Sequence, residues 1–153
     1  MSAPFASVLG HDFEEHCHDD QEEGERLSER HDVGREWALI AARTADEKQG
    51  ANTIIIDVGA VLAITDEFVI TSGRNSRQVR TIAEEIEEAI KAVGGPGPMR
   101  VEGLSDLTWV LLDYGDIVVH VFAEETRRFY DIERLYRDCP TIAWQDSDHR
   151  AAR

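Results

Sequence analysis

The chain has little of what a stapled, secreted or membrane-embedded protein needs. Its two cysteines, Cys17 and Cys139, lie far apart, which excludes a disulfide framework and points to a reducing compartment. No apolar run approaches the roughly 20 residues of a membrane span. Residues 1–10 lack the basic start and long apolar stretch of a secretory leader, so a cytoplasmic location is expected. Basic residues are scarce as well: 16 Lys and Arg against 31 Asp and Glu leave a net charge of −15. Such a chain repels a phosphate backbone, which argues against direct, sequence-specific nucleic-acid binding. A basic protein partner is favoured instead, through faster encounter.

The acidity is uneven. Residues 1–33 hold ten acidic groups against Arg26 and Arg30, with no sustained apolar periodicity. A segment of this composition buries too little apolar area to offset its ordering entropy, and it reads as a disordered acidic tail. His11, His16, Cys17 and His18 within it are metal-ligand types, but their spacing fits no zinc pattern. No metal or cofactor site is expected. The folded domain is placed at residues 34–145, with a short C-terminal tail at 146–153.

Trp37, Ile40, Ala41, Thr44 and Ala45 recur at helical spacing, and Gly50 closes that helix. The β-branched run "NTIIIDV" follows as a strand able to be covered on both faces. Gly59–Ala60 turns into a short strand around Val61–Ile64, then "FVITSG" forms another. The next helix has the clearest pattern: Asn75 or Ser76 can cap it, and Val79, Ile82, Ala83, Ile86, Ala89, Ile90 and Val93 form one apolar stripe. Gly94–Gly95–Pro96 stops it. A strand is expected at Arg100–Glu102, and "TWVLLDYGDIVVHVF" reads as two strands around a turn near Tyr114–Gly115. Thr126 is a candidate cap for a last helix ending by Pro140. The mixture indicates an α/β domain of two or three layers, a mixed sheet of about five strands flanked by helices.

Catalytic chemistry is poorly represented. Asp113 and Asp116 flank the hairpin turn, where carboxylates also serve turn geometry. Asp57, closing a strand, is the residue that would have to join them in a metal-dependent nucleotidyltransferase. "SGRNSR" has one glycine and makes no phosphate cradle. His120, between two valines, reads as a hydrogen-bonded core residue. Cys139 beside Pro140 has no recognisable catalytic partner.

Aromatic residues make up only 7% of the chain, yet seven fall within the 36 residues from Trp109 to Trp144. Phe122 and Phe129 occupy positions expected in the core. Trp109, Tyr114, Tyr130 and Tyr136, interleaved with Arg127, Arg128, Arg134 and Arg137, are types that dominate interface energetics. Composition alone leaves the segment divided between core and contact.

Three blocks resemble the ribosomal silencing factor family, also called Iojap: "ITDEFVITSGRNSRQV" (Ile64–Val79), "WVLLDYGDIVVHVF" (Trp109–Phe122) and "RRFYDIERLY" (Arg127–Tyr136). Their order and spacing match over about residues 35–138; Tyr136 stands where the family often has Trp. The resemblance implies a nucleotidyltransferase-like fold without catalysis, used to bind the large ribosomal subunit at its L-fourteen protein. Occupying that site would block the small subunit and lower translation under nutrient limitation. The contact positions it implies are Trp109 and Tyr114; Asp113, Asp116, Arg127, Arg128 and Tyr130 are added by proximity. The alternative is an enzyme of the same fold using Asp57, Asp113 and Asp116. A homodimer is open under either reading.

Overall fold

The computed structural model describes residues 20–145. His11, His16, Cys17 and His18, and the tail at 146–153, lie outside the described residues. Helix α1 spans Asp20–Glu47, followed by strands β1 (Ala51–Asp57) and β2 (Glu67–Gly73). Helix α2 (Ser76–Ala92) leads to β3 (Arg100–Glu102), β4 (Trp109–Asp113) and β5 (Ile117–Ala123), then short helices α3 (Glu124–Tyr130) and α4 (Ile132–Leu135).

The five strands form one mixed sheet in the order β1-β2-β5-β4-β3. Only the β2–β5 pair is parallel; the other three pairs are antiparallel. This is the α/β architecture expected from the sequence. Strand β2 lies inside the sheet and every one of its residues is buried, the polar Glu67, Thr71 and Ser72 included.

Helices α1 and α2 cover one face. Ala38, Ala41, Ala42 and Ala45 of α1 have no exposed surface, nor do Val79, Ile82, Ile86 and Ile90 of α2. They pack on Ile55, Val69, Val110, Leu112, Val119 and Val121. The alanine stripe lets α1 lie close to the strands, and Gly34 continues it: a Cβ there would meet the Asp116 Cβ at 3.1 Å. A half-buried pair fixes this helix to the sheet, with Arg35 Nε donating to the buried Glu67 Oε1 at 2.8 Å. Burial pushes the Glu67 carboxyl up, and Arg35 pulls it back.

Several local expectations are corrected. Residues 20–33, read from composition as part of the disordered acidic tail, are helical as the start of α1; Glu, Arg and Gln are good helix formers and need no core burial to be helical. Val61–Ile64 is not a strand: the Val61 and Leu62 amides both donate to the Val58 carbonyl, closing a helical turn. Asn75 caps α2 by accepting from the Gln78 amide at 2.9 Å, but the stripe ends at Ile90, and Val93 is the exposed C-cap. Helix α3 leaves β5 directly at Glu124, two residues before Thr126, with Glu124 and Glu125 in its first turn, where acids favour the helix dipole. Asp131, in the left-handed region at φ 44°, breaks α3 from α4. Helix α4 stops at Leu135, and Pro140 serves the sheet edge, its carbonyl accepting from the Asp57 amide.

Candidate protein-binding face

The second face of the sheet is only partly covered. Ile56, Phe68, Ile70 and Phe122 are buried there, with Ile132, Tyr136 and Cys139 packed over them. Toward β4 the cover ends. Alternation along β4 puts Val110 and Leu112 into the helix-covered core and leaves Trp109, Leu111 and Asp113 half-buried on the other face.

Trp109 organises this face. Its indole stacks on Phe122 at 4.8 Å between ring centres and meets Tyr130 of α3 at 5.0 Å. Its Nε1–H donates to His120 Nδ1 at 3.1 Å. Phe68 stands edge-on to His120 at 4.7 Å, and Tyr136 edge-on to Phe68 at 5.2 Å. The result is a continuous aromatic row from Tyr130 to Tyr136 across three strands. Gly103 secures the start of β4: it sits at φ 88°, and a Cβ would fall 1.9 Å from the Trp109 carbonyl oxygen. His120 is the core histidine expected, hydrogen-bonded through Nδ1 while its buried Nε2 has no partner among the described residues; burial lowers its pKa to about 4.

Next to this row, α3 and α4 present apolar side chains to solvent. Phe129 is 81% exposed, Leu135 76% and Tyr130 53%. Phe129, expected in the core, is therefore a surface residue. Arg128 is exposed beside it.

Two of the expected contact residues have different roles. Tyr114 is 4% exposed and lies in the helix-side core. It lies five positions after Trp109, an odd step, so continuing the strand alternation sends it to the opposite face. Its buried hydroxyl has no hydrogen-bond partner among the described residues, and burial raises its pKa, with Glu87 adding to the effect. Arg127 is also buried. Its Nη1 donates to the Ala51 carbonyl at 3.0 Å and Ser72 Oγ at 2.9 Å, and Nη2 donates to the Asn52 carbonyl at 2.7 Å. Its Nε pairs with Glu133. It ties α3 to the irregular start of β1 and walls a polar cleft instead of meeting a partner.

Each of the three aspartates has its own partners. Asp57 Oδ1 accepts from the Gly59 amide at 3.2 Å, and Oδ2 lies 3.8 Å from Arg35. Asp113 accepts from the Gly115 amide at 2.8 Å and faces Arg100 at 3.7 Å. Asp116 lies 3.8 Å from Arg30 of α1. Among the described residues no group of three or more His, Cys, Asp or Glu is placed to hold a metal. Nothing in the sequence pattern marks Leu135 or the exposure of Phe129, whereas the two-residue step from Trp109 is a signal for Leu111.

Residues 32–153 match the family model described as "Ribosomal silencing factor during starvation". The chain is 33% identical over 108 residues to a Ribosomal silencing factor RsfS of Halalkalibacterium halodurans, covering 71% of this chain and 92% of that one. A more distant mouse relative, "Mitochondrial assembly of ribosomal large subunit protein 1", is 27% identical over 93 residues, 59% of this chain and 40% of its own. A crystal structure of a Chromobacterium violaceum protein superposes with a TM-score of 0.65 at 29% identity, covering 67% of this chain and 85% of that one. Fold, block order and sequence likeness agree: the chain belongs to the ribosomal silencing factor family.

Proposed function

We propose that this protein binds the large ribosomal subunit at its L-fourteen protein and keeps the small subunit from joining, without catalysis. The observation that carries the reading is the half-open sheet face built around Trp109, flanked by exposed Phe129, Tyr130 and Leu135. Aromatic anchors ringed by polar groups are the usual centre of a protein interface. Family membership supplies the ribosome, and the mouse relative's name speaks of the large subunit. The net charge of −15 suits approach to a basic ribosomal protein. An interface of about 800 Å² per partner fits on this one face. The contact set is Trp109, Leu111, Asp113, Arg128, Phe129 and Tyr130; Asp116 lies against Gly34 and Arg30 of α1 and is left out of it.

The test is a subunit-joining assay with purified subunits. Adding the protein to large subunits first should lower the yield of joined ribosomes, and isolated L-fourteen protein should relieve that effect by competition. Normal joining at saturating protein would refute the proposal. Light scattering on the same preparation gives the oligomeric state, which decides whether a homodimer or a single chain is the species that binds.

A further inference from the structure

Trp109 carries one polar atom, its indole N–H, and the fold uses that atom internally on His120 Nδ1. An indole only donates, so Nδ1 is the unprotonated nitrogen and the neutral imidazole carries its proton on Nε2. His120 is 5% exposed. It is faced by Phe68 from β2, Trp109 from β4 and Phe122 on its own strand, all uncharged. The ionisable groups beyond, Tyr130 and Tyr136, touch only Trp109 and Phe68 of this set. Stacking on Phe122 constrains the indole plane but not its direction within that plane. Rotating the ring by half a turn about its outer torsion would carry the N–H away from Nδ1.

We infer that His120 is a positioning residue for the binding face: by accepting the Trp109 N–H, it holds the indole in the one orientation the partner meets. The inference rests on the proposed ribosome contact. It also specifies chemistry at the contact. With its N–H engaged, the ring offers a partner only π surface and apolar edge. The complementary group is then an aliphatic or cationic side chain, not a hydrogen-bond acceptor.

The test uses the full chain labelled with ¹⁵N-tryptophan. Asn offers an amide oxygen near the place of His120 Nδ1, whereas Leu fills the space better and accepts nothing. His120→Leu should shift the Trp109 indole signal, assigned through Trp109→Phe. It should also weaken co-sedimentation with large subunits about fivefold, equivalent to about 1 kcal/mol. His120→Asn should hold both near the unsubstituted values; a packing role alone gives the opposite ranking. An unmoved indole signal in His120→Leu, or a moved signal with unchanged binding, overturns the inference. If His120→Leu does not fold, the tautomer in the unsubstituted chain and the binding of His120→Asn decide. A proton on Nε2 with retained binding supports the inference, and either a proton on Nδ1 or lost binding overturns it. If the unsubstituted chain itself fails to bind large subunits, the functional reading falls and the positioning role with it. If it binds and the variants rank Asn below Leu, only the positioning role falls.

Discussion

Trp109 opens β4 and Tyr114 directly follows its last residue, and the two point to opposite faces of the sheet, one half-open and one sealed by α1 and α2. Tyr114 therefore acts on stability, not on contact. Tyr114→Phe removes a buried hydroxyl with no partner, and it should change stability by less than about 1 kcal/mol or raise it. Tyr114→Ala should cost about 3–5 kcal/mol through the cavity it leaves. Thermal melts of the two variants check both, and Tyr114→Phe should bind its partner like the unsubstituted protein.

Arg127 and Arg128 are neighbours with opposite roles. Arg127→Met removes the donors to Ala51, Asn52 and Ser72 and leaves Glu133 unpaired. A loss of about 3 kcal/mol in urea unfolding is expected. Arg128→Ala, on the exposed side of the same helix, should leave the unfolding midpoint within error of the unsubstituted protein.

Gly103 should be intolerant of any side chain. Its φ of 88° and the 1.9 Å approach of a Cβ to the Trp109 carbonyl oxygen force β4 to move at the residue that anchors the face. Gly103→Ala should lower stability by about 2 kcal/mol or more. Near-ultraviolet circular dichroism should show an altered tryptophan environment even where the chain still folds.

His120 gives the protein an acid-sensitive term. Its folded pKa is about 4 against an ordinary 6.5, so the unfolded chain takes up the proton first. The contribution is whole above pH 6.5 and is lost as pH falls toward 4, by about 3 kcal/mol at the lower end. Protonating Nδ1 would also oppose the Trp109 N–H directly. Urea unfolding between pH 6.5 and 5 should show a falling midpoint, and His120→Asn should flatten that slope.

Where period and cap are local, the sequence is enough. The stripe from Val79 to Ile90 and the Asn75 cap define α2, β-branched runs define β1 and β5, and short apolar runs mark β2 and β4. What depends on long-range geometry was not readable in the same way. Phe129 looks like core by composition, yet among the described residues it lies on the side of α3 that no other element covers. Arg127 looks like an interface arginine, but its partners are 75 and 76 residues earlier in the chain, at Asn52 and Ala51. Tyr114 is the instructive case, because the odd spacing from Trp109 was present in the sequence all along. At the candidate site, the anchor Trp109 was legible from its block, while Leu111 and Leu135 needed the sheet and the helix break to show them.

Co-sedimentation of Trp109→Ala with free large ribosomal subunits tests the central claim most directly. The unsubstituted protein should pellet with large subunits. The variant, shown to be folded by its melt, should bind more than about tenfold more weakly, as expected for a central aromatic anchor. Equal binding by the folded variant, or no binding by the unsubstituted protein, would contradict the assignment of this face to the ribosome.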